Sequence, residues 1–439
     1  MLYTTNHSIL FTSITIISLI CIIFSPAHSK EEIVERTLNL ATAVQVATLN
    51  NQELLVKKEE IEIAEQKLKE ALSSSYPKLG LEANYSLYHS THTSILLSRT
   101  GAAYLPYDED DFYMARGSLS QFIYSGGRLK TTKRQARENL KKVRLEYDII
   151  KNKIAYETTK AFYRVLLITK ERDVIKKEVE DIELILAKIG KVSKTGYPFE
   201  RLSLEREDLI TRLREKETEL RLSKLNLNKV LGIELNTSVM LKGSLNYTPI
   251  EVDINKMVAW AFEYRPEVMI RQAEEAIDAL SVSLSRAEWM PTLRLDMAYE
   301  YGGSIDWDEG IEHWHTTLNL DLPIFAGWAR WARVRQRKAE RRKRTINKAQ
   351  IKDSIRFEVI ESFEKLESLK VRMEEAKKNL ERAERMWKTI SEKSEDYREI
   401  IDCMDVYIRM QLRYWNTIYD WHIARAQLEK AIGTAVSTK

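Results

Sequence analysis

Residues 328–432 run for 105 positions without a glycine or a proline. Those two residues are the strongest local breakers of regular structure, so such a run reads as helix. A single helix of that length would extend about 158 Å at about 1.5 Å per residue. Residues 128–189 are equally free of breakers. In this first stretch Leu140, Val143, Tyr147, Ile150, Ile154, Ala161, Val165, Ile168, Ile175, Val179 and Ile182 step by three, four or seven. Val359, Phe363, Leu366, Met373, Ala376, Leu380, Ala383, Trp387 and Ile390 do the same in the second. A sustained period near 3.5 predicts long helices packed as coiled coils.

Four segments break this pattern. In "MPTLRLDMAYEY" (290–301), Leu293, Leu295, Met297, Tyr299 and Tyr301 alternate with Arg294, Asp296, Ala298 and Glu300. In "WHTTLNLDLPI" (314–324), Trp314, Thr316, Leu318, Leu320, Leu322 and Ile324 alternate with His315, Thr317, Asn319 and Asp321. Period two predicts strands with one apolar and one polar face. "YPKLGLEANYSL" (76–87) and "YMARGSLSQFIY" (113–124) read similarly.

The four strands fall into two copies of one unit. Asn51, Gln52, Glu53 and Leu54 align with Arg265, Pro266, Glu267 and Val268. Pro77, Leu79, Leu81 and Tyr85 align with Pro291, Leu293, Leu295 and Tyr299 at the same offset of 214. Ile123, Tyr124, Ser125 and Gly126 align with Ile324, Phe325, Ala326 and Gly327 at an offset of 201, as Lys229–Gly232 does with Lys430–Gly433. Two constant offsets predict an internal two-fold repeat, about 35–232 and about 251–433, joined by a linker at about 233–250. The difference of 13 residues lies between Tyr85 and Ile123 and is expected in an exposed loop between 90 and 111. Each copy reads helix, strand, loop, strand, long helix, turn, helix. The breaker Gly196-Tyr197-Pro198 aligns with Tyr397-Arg398-Glu399, which places the turn of the second long hairpin near 391–398.

Residues 9–29 are apolar and end in Ala27-His28-Ser29, a small-x-small cleavage pattern. An export signal over 1–29 is expected, with 30–439 as the mature protomer. Ile20 before Cys21 argues against lipidation. Cys403 is then the single cysteine of the mature chain, so no intramolecular disulfide is expected. Lys+Arg 69 against Asp+Glu 65 leaves a net charge of only +4, which gives no bulk case for nucleic acid. A mean hydropathy of −0.38 excludes a polytopic helical membrane protein.

Apolar strand faces with nothing left to cover them point to lipid. Open sheet edges are forbidden there, so the strands must close into a barrel, and four are too few. Three chains would supply twelve. The apolar stripes would then face lipid, with Arg294, Asp296, Glu300, Asn319 and Asp321 toward an aqueous lumen.

Over about 35–433 the chain resembles the TolC family of outer-membrane efflux proteins. The resemblance rests on "NNQEL" and "YRPEV", the strand starts "YPKLGLEANY" and "MPTLRLDMAY", "QFIYSGGR" and "PIFAGW" at strand ends, and the Leu-Gly or Ile-Gly closing each copy. It implies a mainly α fold with a small β part: a homotrimer with a twelve-stranded outer-membrane β-barrel continued by a periplasmic α-helical barrel. It also implies a passive exit duct, coupled through a periplasmic adaptor to an inner-membrane efflux or ABC transporter, in a tripartite pump or type I secretion system. No enzyme activity and no cofactor are expected. In that family an arginine and two aspartates at the spacing of Arg398, Asp402 and Asp405 lie at the periplasmic entrance, the arginine as a latch and the aspartates as a cation-selective ring. The family's tyrosine five residues before the arginine falls here on Lys393. The first copy carries Tyr197, Arg201 and Leu204 at the matching positions. The alternative reading is a soluble periplasmic coiled-coil scaffold or adaptor.

Other features have plainer readings. The basic run "RWARVRQRKAERRKR" (330–344) would sit just below the strands as a solvated face or near anionic lipid. His313 with His315, and His89 with His92, lack the clustered acids or cysteine of a metal site, and no metal is expected. "SGGRLK" (125–130) lacks the Gly-Lys-Ser/Thr of a phosphate loop and reads as a strand-to-helix turn.

Overall fold

The structure is a computed structural model that describes residues 37–87, 94–98, 101–105, 111–189, 196–251, 253–303, 310–325, 327–393 and 397–434. The expected leader at 1–29 and the His89/His92 pair lie outside the described residues.

In chain order the elements are β1 (Thr37–Leu38), α1 (Leu40–Asn50), α2 (Gln52–Ser73), β2 (Lys78–Leu87), β3 (Ser94–Ser98), β4 (Gly101–Leu105), β5 (Asp111–Tyr124), α3 (Arg128–Ile189) and α4 (Tyr197–Leu231). They continue with β6 (Met240–Leu241), α5 (Ile254–Tyr264), α6 (Pro266–Ala287), β7 (Thr292–Gly303), β8 (Ile311–Asp321), α7 (Ala329–Lys393) and α8 (Tyr397–Ile432). The order helix, helix, strand, strand, long helix, helix thus runs from α1 to α4 and again from α5 to α8, with β3 and β4 added within the first. The 62 residues of α3 and 65 of α7 span about 93 and about 98 Å at the helical rise.

As expected, the 105-residue run holds two helices, α7 ending at Lys393 and α8 beginning at Tyr397. Helix is also interrupted between α1 and α2 and between α5 and α6, which the apolar pattern did not announce. Asn51, with ψ 125°, ends α1 and caps α2 by accepting from the Glu53 N–H at 2.9 Å. Its amide donates to the Val230 carbonyl at 3.0 Å and ties the break to the end of α4. Arg265 holds the same place between α5 and α6, pairing with Glu267 at 2.9 Å and Glu358 at 2.6 Å. Gly232 closes α4 in the left-handed region at φ 71°, and a Cβ there would lie 2.4 Å from the Asn50 carbonyl oxygen. Backbone approaches this closely only where no side chain intervenes.

Packing builds two equivalent cores. One gathers Ala43, Ala47 and Leu54 with Ile154, Phe162, Ile168, Leu220, Leu227 and Leu231. The other gathers Met257, Ala261 and Val268 with Ile355, Val359, Leu366, Trp421 and Leu428. A third core lies toward the far end of the long helices, where Ile175, Val179 and Ile182 of α3 meet Leu202 and Leu209 of α4 and Ile401 and Met404 of α8. Next to the sheet the helices form a row, with α2 on α3, α3 on α6 and α6 on α7.

The four long strands form one antiparallel sheet in the order β2-β5-β7-β8. The two expected hairpins are therefore joined through β5 and β7. β8 stops at Asp321, before Pro323, so Leu322 and Ile324 lie beyond the strand on which sequence placed them. The loop expected at 90–111 carries a small hairpin of its own, with Ser94 opposite Leu105 and Ser98 opposite Gly101.

Candidate functional site

Register sorts the sheet's side chains into two faces. Leu79, Leu119, Met297 and Thr316 stand in one cross-strand row, and Leu81, Gly117, Tyr299 and Trp314 in the next. Leu79 is 81% exposed, Leu81 86% and Trp314 72%. A large apolar face left in solvent marks an interaction surface rather than a core.

The opposite face is polar and bonded across strands. Glu82, Arg116, Glu300 and His313 make one row; Lys78, Ser120, Asp296 and Thr317 make another. Asp296 accepts from the Ser120 hydroxyl, Arg294 Nε and Asn319 Nδ2, each at 2.7 Å. Arg116 Nε lies 3.2 Å from Glu300 Oε1. Arg294, Asp296, Glu300 and Asn319 are thus brought together on one face. Asp321 ends the strand, exposed, opposite Thr292. Arg116 and Ser120 belong to the same network. Sequence reasoning missed them because the apolar alternation of β5 is diluted by Gly117 and Ala115, although charge at Arg116 was a visible signal. The rings of His313 and His315 lie 5.6 Å apart on this face. Among the described residues no cluster of three His, Cys, Asp or Glu could hold a metal ion.

The second site is the helix end remote from the sheet. Arg398, Asp402 and Asp405 are exposed along one stripe of α8, while Ile400, Ile401, Cys403 and Met404 turn inward. The expected triad is therefore one surface, backed by the third core. The Arg398 guanidinium stands 5.0 Å from the Tyr197 ring centroid, so the start of α8 touches the start of α4.

Near Asp405 lies Glu178 of α3, only 4% exposed, whose Oε2 has no hydrogen-bond partner among the described residues. Burial pushes its carboxyl up to about 8, reinforced by the charges of Asp405 and Glu205. Glu171, seven residues earlier on the same buried stripe, is satisfied by Lys216 Nζ and Asn416 Nδ2, both at 2.7 Å. Sequence reasoning passed over both acids, although a glutamate between Ile175 and Ile182 in a heptad stripe is a legible signal.

No protein-family model matches the sequence, and no curated protein matches it. Solved structures do. The Campylobacter jejuni CmeC outer membrane channel is similar with a TM-score of 0.75 at 15% identity, over 90% of this chain and 85% of that one. The Vibrio cholerae outer membrane protein VceC gives 0.72 at 13%, over 90% and 96%. The open-state Neisseria gonorrhoeae MtrE outer membrane channel gives 0.73 at 13%, over 90% and 89%. The chain has the fold of the TolC-type outer-membrane channels.

Proposed function

We propose that this protein is the outer-membrane exit channel of an efflux or type I secretion system. It works as a homotrimer whose sheets close into a twelve-stranded barrel and whose helices continue the duct through the periplasm. The observation that carries this reading is the four-stranded sheet with one apolar face exposed, one polar face bonded, and both edge strands open. Antiparallel order along β2-β5-β7-β8 leaves β8 antiparallel to the β2 of a following copy, so copies can be added until the ring closes. Strands of 10 to 14 residues suit a tilted crossing, which needs about 9–11 residues. Lipid would take the apolar face. Water and cargo would pass Arg294, Asp296, Glu300, Asn319 and Asp321.

The alternative, a soluble periplasmic scaffold, leaves Leu79, Leu81, Leu318 and Leu320 in water on a sheet with two unpaired edges, a state prone to aggregate. The fold's similarity to outer-membrane channels supports the duct as well. An exit duct has no motor of its own. A periplasmic adaptor and an energised inner-membrane transporter are its partners, and the exposed helix ends that carry Arg398, Asp402 and Asp405 are where the entrance lies.

The test is purification from membranes and reconstitution. Trimers that require detergent and conduct ions in a planar bilayer support the proposal. A monodisperse protein that stays soluble without detergent and forms no conductance overturns it in favour of the scaffold.

A further inference from the structure

Each long helix starts with a block of positive charge that its remainder does not share. From Arg128 to Arg144, α3 carries eight lysines and arginines against one acid, Glu138. From Ala329 to Arg344, α7 carries nine against one, Glu340. Below these blocks the signs balance: nine bases meet nine acids from 145 to 189, and twelve meet ten from 345 to 393. Partners sort the bases of the blocks by direction. Lys142 reaches Glu274 of α6 at 3.3 Å, Arg144 reaches Glu65 of α2 at 2.7 Å, and Arg344 reaches Asp278 of α6 at 3.0 Å. Charges that point along the helix row are thus neutralised within the chain. Lys130, Arg134, Arg137 and Lys141 instead step by four, three and four along one exposed stripe of α3 and make no ion pair among the described residues. Trp331, Arg335, Lys338 and Arg342 hold the equivalent stripe of α7, 201 positions on, and its three bases are equally unpaired among the described residues.

The head of the α7 stripe shows what it borders. Trp331 lines a small cavity with Trp289, Ile324, Phe325 and Trp328 at the foot of the sheet, and its ring centroid stands 4.9 Å from that of Trp289. Ile324 is 88% exposed, Phe325 74% and Trp328 70%. Exposed aromatic rings at the end of an apolar sheet face suit a membrane–water boundary, where such rings collect. Arg335, Lys338 and Arg342 follow Trp331 on the same stripe, so they leave that boundary on its water side. At the helical rise, the four positions of each stripe lie about 3, 9, 14 and 20 Å below the start of its helix. A headgroup layer is about 5–7 Å deep. The potential of an anionic surface decays over about 8 Å at physiological ionic strength. The bases at about 9 and about 14 Å therefore come within its reach, and long side chains extend toward an interface when their charge is drawn there.

We propose that the two stripes form a basic collar that binds anionic phospholipid from the leaflet nearest the helices, with headgroup phosphates on Arg134, Arg137, Arg335 and Lys338. The collar rests on the membrane-channel reading above and adds to it a lipid preference and a fixed depth in the bilayer. Charge complementarity chooses the occupant. The stripes offer cations with no carboxylate beside them, and each base near an anionic surface strengthens attachment to it. A zwitterionic headgroup presents the same phosphate but brings its own ammonium, which cancels most of that attraction. Where the blocks end, the balanced charge of the lower helices has no such preference.

Selective retention of lipid tests the collar. Full-length protein is reconstituted in vesicles of phosphatidylethanolamine with a minor share of phosphatidylglycerol, extracted in mild detergent, and its retained phospholipid quantified. Wild type should hold phosphatidylglycerol several-fold above its share of the vesicle, and high salt should reduce that enrichment by screening. Combining Arg134→Gln, Arg137→Gln, Arg335→Gln and Lys338→Gln should return the retained ratio to that of the vesicle while conductance persists. The same exchange at Arg385 and Lys388, exposed near the far end of α7, should leave the enrichment intact. Conducting wild-type protein without enrichment, a quadruple variant that keeps it, or release of the lipid by inorganic phosphate would each overturn the collar and leave the channel standing. Loss of export in cells by the quadruple variant, with no lipid preference in wild type, would assign the stripes to an acidic protein partner and overturn it too. Protein that gives no conductance from such vesicles would sink the channel reading itself.

Discussion

Glu178 shows how one residue links packing to a proton. The buried side of α3 that carries Ile175, Val179 and Ile182 also takes the Glu178 carboxyl into the junction of α3, α4 and α8, with no donor for Oε2 among the described residues. Its proton is held to about 8. The folded state therefore binds that proton more tightly than the unfolded chain does. Its contribution to stability is most favourable below the ordinary carboxyl range, falls as pH rises through the window up to about 8, and is constant above. Glu178→Gln should consequently leave stability near wild type at pH 4. It should gain progressively as pH rises, by on the order of 5 kcal/mol at pH 9. Thermal melts of both proteins at pH 4, 6, 8 and 9 check this; a difference that stays flat with pH would mean the carboxyl is solvated. At the surface of the same junction, Arg398→Ala and Tyr197→Ala remove the two halves of one contact, worth about 0.5–1 kcal/mol at an exposed site. If that contact latches the entrance, both variants should raise single-channel conductance alike. Asp402→Ala with Asp405→Ala should instead weaken cation selectivity and block by multivalent cations, since facing carboxylates in a ring attract cations. Recordings in which all of these variants match wild type would reduce the stripe to ordinary helix surface.

At the scale of the element, the helix breaks decide how short helices stack beside long ones. α1 and α2 run along α3, and α5 and α6 along α7, with the interruptions at Asn51 and Arg265 set against Gly232 and Gly433. A methyl group on Gly232 would meet the Asn50 carbonyl oxygen at 2.4 Å; on Gly433 the nearest atom is the Tyr264 carbonyl oxygen at 3.1 Å. Both glycines have positive φ, 71° and 77°, so both substitutions to alanine carry backbone strain of about 1 kcal/mol or more. The added collision is severe at Gly232 and slight at Gly433, where the neighbour need shift by only a few tenths of an ångström. Gly232→Ala should therefore lower the protein's melting temperature more than Gly433→Ala, and the reverse order would mean the α1 end gives way more readily than the α5 end. In the proposed barrel the small β3–β4 hairpin would lie at the tip. An epitope inserted between Ser98 and Gly101 should be tolerated and reached by antibody on intact cells; access only after the outer membrane is breached would invert the sheet's orientation.

Over the whole molecule, the exposed edges matter most. Among the described residues the sheet leaves the outer edges of β2 and β8 unpaired, and the helix row leaves α2 and α7 half covered. If the sheet enters lipid as proposed, its outer edges are satisfied by meeting other copies of the chain. Lipid makes that requirement strict, because an unpaired N–H or C=O has no water to turn to there. Closure by three copies should give a particle of three chains of slightly under 51 kDa each, seen by light scattering after correction for bound detergent.

The long helices, the four strands and the face each strand residue takes were legible in sequence, because periods of 3.5 and 2 are properties of the chain alone. Arg294, Asp296 and Glu300 could be placed on one face by counting in twos. Arg398, Asp402 and Asp405 could be placed on one stripe by counting in threes and fours. What counting could not supply was the partner of each face. That Arg116 meets Glu300 and Ser120 meets Asp296 depends on β5 pairing with β7, a contact between strands some 180 residues apart. That Glu178 is buried beside Asp405 depends on α8 packing against α3. The breaks at Asn51 and Arg265 follow from the ends of α4 and α8 that they abut. Periodicity fixes which side of an element is apolar, and only tertiary packing decides what that side meets.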